Sequence, residues 1–153
     1  MCNPASMIIT RRHRAHWSEN TDSHHEIISE FGLRETDARG NINIVPVEIT
    51  PPGGDLTKPI SKWKFRIDVN GYQRELPVWW DNAKGEASAR CALKEWKSKK
   101  VITHNTKELN IGQFYVCGKA NIISVGGTAR IIVGGSAVIQ DVSGSAVIQG
   151  VTS

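Results

Sequence analysis

Glycine returns at Gly118, Gly127, Gly135 and Gly144, at intervals of 9, 8 and 9 residues. Cut at these glycines, residues 118–153 read GKANIISVG, GTARIIVG, GSAVIQDVS and GSAVIQGVTS. Two residues after each glycine stands an alanine (Ala120, Ala129, Ala137, Ala146), and two further on an isoleucine (Ile122, Ile131, Ile139, Ile148). A valine closes each unit: Val125, Val133, Val142 and Val151. Residues two apart share one face of an extended strand. Glycine suits the turn because it reaches positive φ without a Cβ penalty. A helix is disfavoured, since each interior glycine costs about 1 kcal/mol and the window is rich in β-branched residues. Self-similarity of this kind marks units that bury an apolar side only by stacking on one another.

The pattern predicts a short parallel β-solenoid, β-helix-like, with about two units per coil and ladders of Ala and Ile facing inward. A sandwich of antiparallel hairpins is the alternative, but hairpins give no reason for constant spacing. A degenerate unit, LNIGQFYVC, precedes the regular ones at 109–117. Residues 108–153 hold only four charges, Glu108, Lys119, Arg130 and Asp141, and the last unit is as regular as its neighbour. Solenoids are normally closed by atypical polar caps, and an uncapped β end is a template for further pairing. The tail is therefore expected to be a homo-oligomerisation module acting through Ile122, Ile131, Ile139, Ile148, Val142 and Val151. A monomer whose tail packs on its own N-terminal domain is the competing expectation.

The length of 153 residues suits one small domain and an appendage. The division expected is an α+β domain over 1–106 and the repeat over 107–153. No apolar run approaches the ~20 residues of a membrane span, so no membrane partner is expected. The start, MCNPASMIITRRHRAHW, lacks the basic opening and apolar core of a signal peptide. Cys2, Cys91 and Cys117 are odd in number and widely spaced, which argues against a disulfide framework. A reducing, cytoplasmic setting follows as the expectation, with no cofactor.

Within the first domain, Met7–Thr10 and His13–Trp17 read as short strands or a hairpin. Ser23 is placed to cap a helix through HHEIISEFGL, with Glu26 three residues on as in a capping box, Ile27, Ile28 and Phe31 as the buried face and Gly32 as the stop. Ile42–Thr50 reads as a strand, and Pro46 argues that it lies at an edge or bulges. Lys62–Val69 alternates apolar and charged residues, the mark of a strand with one wet face. Asn70-Gly71 fits a hairpin turn. Residues 82–107 carry seven basic and two acidic groups, against a near balance elsewhere. They read as a helix capped by Asp81 or Asn82, with Ala89, Ala92, Leu93 and Trp96 as its apolar stripe and lysines crowding its C-terminal end.

Several groups could carry chemistry. His13, His16, His24 and His25, with Cys2 and Glu26, are of the types zinc takes, but the spacing fits no finger, and adjacent His24 and His25 project about 100° apart on a helix. Cys2, once Met1 is trimmed, would be an N-terminal cysteine whose amine could serve its own thiol. No set of residues is seen to converge on it, and Glu26/Glu30 reads as a solvated helix face. Trp79-Trp80 is a candidate partner anchor. With Lys94, Lys97, Lys99 and Lys100 it is the expected partner-binding surface, the alternative being a solvated helix end that complements its own dipole. No phosphate-binding glycine loop, G-x-S-x-G or H-E-x-x-H occurs.

Cys2-Asn3-Pro4, Trp17-Ser18, the run Asp22-Ser23-His24-His25-Glu26-Ile27-Ile28 and the tandem G-S-A units together resemble a loose group of uncharacterised phage and prophage proteins. The resemblance covers most of the chain. It implies a mobile-element origin and action by binding a host macromolecule, such as a protein or nucleoprotein of a defence system. The leading expectation is thus a non-enzymatic interaction protein assembled by its repeats. A small enzyme using Cys2 or the histidines, and a nucleic-acid-binding module using the basic helix, are the alternatives.

Overall fold

The structure, a computed structural model, describes residues 4–68 and 75–150. Cys2, Val69, Asn70-Gly71 and Val151 lie outside the described residues. The chain is α+β and divides into two compact units, 1–95 and 96–153. Among the described residues no helix is long and apolar enough to cross a membrane.

The first unit is built on four antiparallel strands: β1 (Ser6–Thr10), β2 (Arg14–His16), β3 (Ile44–Thr50) and β4 (Lys64–Ile67), in the order β2-β1-β3-β4. Both inner strands are buried almost throughout. Register puts Ser6 opposite Glu48, Ile8 opposite Pro46 and Glu48 opposite Arg66, so these residues share a face. The helix α1 (His24–Glu30) covers part of that face, where its Ile27 and Ile28 pack with Ile8, Ile44 and Leu33. Met7, Ile9, Val45, Val47 and Ile49, also buried, take the opposite face. The second helix, α2 (Asn82–Lys100), starts at Asp81, whose Oδ1 accepts the Lys84 N–H at 2.9 Å. Ser88 donates to the His13 carbonyl, and Arg90 donates to the Trp63 carbonyl at 3.1 Å.

Three expectations change at this level. Phe31 is exposed rather than part of the buried face of α1, and its ring lies 5.3 Å from that of His16. Pro46 sits on an inner strand, not an edge. Its carbonyl accepts the Asp68 N–H at 2.9 Å just where β4 ends, so the missing proline N–H removes only the last rung of that ladder. The capping box is half formed. Ser23 Oγ accepts from the Glu26 N–H at 3.5 Å, but the Glu26 carboxylate takes the Thr21 hydroxyl, which itself accepts the Ser23 N–H.

In the second unit the strands are β5 (Val101–Ile102), β6 (Thr106–Leu109), β7 (Gln113–Val116), β8 (Asn121–Val125), β9 (Arg130–Val133), β10 (Val138–Val142) and β11 (Val147–Gly150). They alternate between two parallel sheets, β11-β9-β7-β5 and β10-β8-β6. Every pairing is parallel, which removes the hairpin alternative. Arg130 pairs with Val147 and Asn121 with Val138, each a step of 17 residues, or two sequence units. Parallel pairing already begins at Val101, ahead of the legible repeat, and with a shorter coil: Val101 pairs with Tyr115, a step of 14. Inside lie Ile102, Leu109, Val116, Ala120, Ile122, Val125, Ala129 and Ile131. Gly127 shows why the repeat needs glycine. Its φ is +55°, and a Cβ there would stand 2.4 Å from the Asn110 carbonyl oxygen of the neighbouring turn.

Candidate functional site

Three places concentrate features that packing alone does not require. The first is the last turn of the second unit. Ile148 stands over Ile131 and Val142 over Val125 in the same ladders. Ile131 and Val125 are 1% and 0% exposed, whereas Ile148 and Val142 are 39% and 48% exposed. Residue type and register are the same, so the difference comes from what lies above. Among the described residues β10 and β11 have a strand on one side only. Val138 and Val147 add to the exposed apolar surface. Ile122 is buried and Ile139 half-buried, so exposure rises along the stack.

The second place is a buried polar group on the α1 face of the first sheet. His24, the first residue of α1, is buried, with Nε2 2.9 Å from the Val47 carbonyl oxygen and Nδ1 3.3 Å from Asp68 Oδ2. Glu48 of β3 is also buried and pairs with the Arg66 guanidinium of β4. That contact raises the Arg66 pKa, through the hydrogen bond first and then the carboxylate charge. One ligand-type atom from each of His24, Glu48 and Asp68 lies within 4.8 Å of the others. Burying such groups is costly unless they are partnered.

The third place is aromatic. The turn Arg11–His13 between β1 and β2 has Arg12 and His13 at φ +64° and +54°, which sends the His13 ring toward Trp79 and Trp80, each with its ring centre 5.6 Å away. His13 Nε2 accepts the Asp81 N–H at 3.0 Å, and the Trp79 indole donates to the Ile42 carbonyl at 3.0 Å. Trp80 lies against Gly85, where a Cβ would come within 2.1 Å of the ring. Its buried indole N–H has no acceptor among the described residues.

The histidines therefore do not gather. His13 joins the tryptophans, His16 Nε2 meets Thr10 Oγ1 at 3.1 Å, His24 joins Glu48 and Asp68, and His25 is exposed. Burial, and then the nearby Arg14 charge, hold the His16 pKa below the usual histidine range. Trp79 and Trp80 are half-buried, held by these local contacts. Lys94 and Lys99 are exposed and Lys97 is half-buried. Lys100 is not on a solvated helix end. It is buried, with Nζ 3.0 Å from Gln113 Oε1 and 5.4 Å from the Trp96 ring centre. Glu48 and Asp68 escaped the sequence reading. Period-2 alternation puts Arg66 and Asp68 on one strand face, but only the register of β3 against β4 and the placement of α1 bring them to His24.

No protein-family model, curated protein or solved structure matches the chain.

Proposed function

We propose that residues 101–150 form a two-sided parallel β-solenoid, with 17-residue coils from Gln113 onward, and that the protein works as a self-assembling interaction module, its last coil joining that of a second copy. The observation that carries this is the ladder contrast, in which Ile148 and Val142 stay over a third exposed while Ile131 and Val125, directly beneath, are sealed. The coil 113–125 is covered in register by the coil 130–142, in which the Ala, Ile and Val positions recur, so a surface of that apolar kind complements the last one. The edges of β10 and β11, unpaired among the described residues, supply backbone donors and acceptors. The other end of the stack is less available, since Val101 and Ile102 of β5 are buried. A twofold pairing of last coil against last coil, the commonest oligomer symmetry, fits this asymmetry.

The test is sedimentation velocity on the full chain beside the double variant Val142→Lys/Ile148→Lys. The expected result is a dimer or larger species for the parent and a monomer with unchanged far-UV circular dichroism for the variant. A parent that stays monomeric at tens of micromolar, or a variant of equal mass, defeats the reading.

A further inference from the structure

We infer that His24, Glu48 and Asp68 form a binding site for a first-row divalent cation of the zinc class. This is independent of assembly, since the three residues belong to the first unit. His24 Nε2 faces the Val47 carbonyl oxygen at 2.9 Å, and a carbonyl only accepts, so Nε2 carries a hydrogen. That bond orients the ring as outer-sphere carbonyls orient metal-binding histidines, leaving Nδ1 turned toward the carboxylates. Nδ1 stands 3.3 Å from Asp68 Oδ2. A charge-assisted N–H···O bond is shorter, about 2.7–2.9 Å. Two ligand atoms each ~2.0–2.2 Å from a tetrahedral zinc lie roughly 3.3–3.6 Å apart. The observed separation fits the second geometry better than the first.

The surroundings agree. Glu48, with one oxygen held by Arg66, brings a second carboxylate within 4.8 Å of the other two donors, and ligating carboxylates are commonly steadied by such a partner. One imidazole and two carboxylates suit zinc or manganese, and they lack the thiolates that would select a softer ion. Three protein donors leave a coordination position open. His24 and Glu48 are deeply buried, while the Asp68 side chain is 17% exposed. A bound ion would tie α1, β3 and the end of β4 together. Of the zinc-type histidines legible in the sequence, His24 alone is in this group, and the fold sends His13 and His16 elsewhere.

The experiment uses the full chain, stripped with chelator and titrated with Zn²⁺ by calorimetry and with Co²⁺ by visible absorption. Expected are one Zn²⁺ per chain, Co²⁺ bands of a nitrogen- and oxygen-ligated ion, a raised thermal midpoint, and affinity at least roughly tenfold weaker in Asp68→Asn. His25→Ala, a change at an exposed neighbour, should bind as the parent does. Should Asp68→Asn not fold, the ring protons of His24 in the parent decide, because Co²⁺ must shift them strongly. Absence of Zn²⁺ uptake by the folded parent, equal uptake by Asp68→Asn, or His24 resonances indifferent to Co²⁺ each overturn the assignment and leave His24 and Asp68 as an ion pair.

Discussion

In residues 1–95 most buried contacts are made once: Trp80 on Gly85, His24 among Glu48, Asp68 and Val47, the Trp63 carbonyl with Arg90. In residues 96–153 one contact set recurs turn after turn, with Ile122 under Ile139, Ile131 under Ile148 and Val125 under Val142. The first unit can bury polar groups because each has a specific partner supplied by a different element. The second buries almost none and relies on small apolar side chains and glycines that let backbones approach. Damage to the first should therefore be local and particular, whereas damage to the second should depend on height in the stack.

Gly127→Ala is the sharpest way to break that contrast. The new Cβ meets the Asn110 carbonyl in a left-handed conformation, so unfolding by urea should show a loss of about 2–5 kcal/mol. Gly118→Ala, also left-handed at φ +68° but with nothing within 4 Å, should cost only about 1–2 kcal/mol. Equal losses would mean that turn conformation alone, not close approach, selects glycine.

Next comes the ladder. Ile131→Ala empties a sealed position and should cost about 2–5 kcal/mol, whereas Ile148→Ala, at the partly exposed position above it, should cost well under half of that in the monomer. A similar cost for both in dilute protein would mean that the last turn is covered even there.

In the first unit, Gly85→Ala forces the Trp80 ring aside and should cost about 1–3 kcal/mol, with a shift in tryptophan emission. Unchanged emission and stability would show that the aromatic group has slack. The smallest effect expected is at His16, whose folded pKa is lowered by burial and then by Arg14. The fold prefers its neutral form, so its contribution is intact above the unfolded value of about 6.5 and declines as pH falls through that value toward the folded one. Urea midpoints at pH 7.5 and 5 should differ less in His16→Gln than in the parent. A larger difference in the variant would reverse the assigned sign.

Much of the second unit was legible because repetition states the same preference several times. Ala120, Ile122, Ala129 and Ile131 all reach the interior where the spacing put them, and the 17-residue step is two sequence units. The turns at Val101–Leu109 were not legible, since their shorter loops carry no glycine signature. In the first unit, local signals placed the Ser23 and Asp81 caps and the β1–β2 hairpin. Pro46 misled because a missing N–H matters only where a partner strand continues, and β4 stops there. Phe31 misled because helical spacing places it on the face of Ile27 and Ile28, whereas it stands at the C-terminal end of α1, 46% exposed and with its ring beside His16.

Period and glycine spacing were enough to determine short extended strands that recur in register, because a side-chain period of two and a required positive φ are properties of the local chain; that they pair in parallel was decided by the structure. Where His13, His16 and His24 go, why Lys100 is buried beneath Trp96, and which carboxylates meet an imidazole were decided only by the tertiary structure. The group at His24 depends on register between strands distant in sequence and on where α1 lies across them, His13 meets the tryptophans through the left-handed turn between β1 and β2, and Lys100 meets Gln113 across a separation of 13 residues. Nothing within a few residues of His24 encodes that Asp68, more than forty positions away, will stand 3.3 Å from its ring.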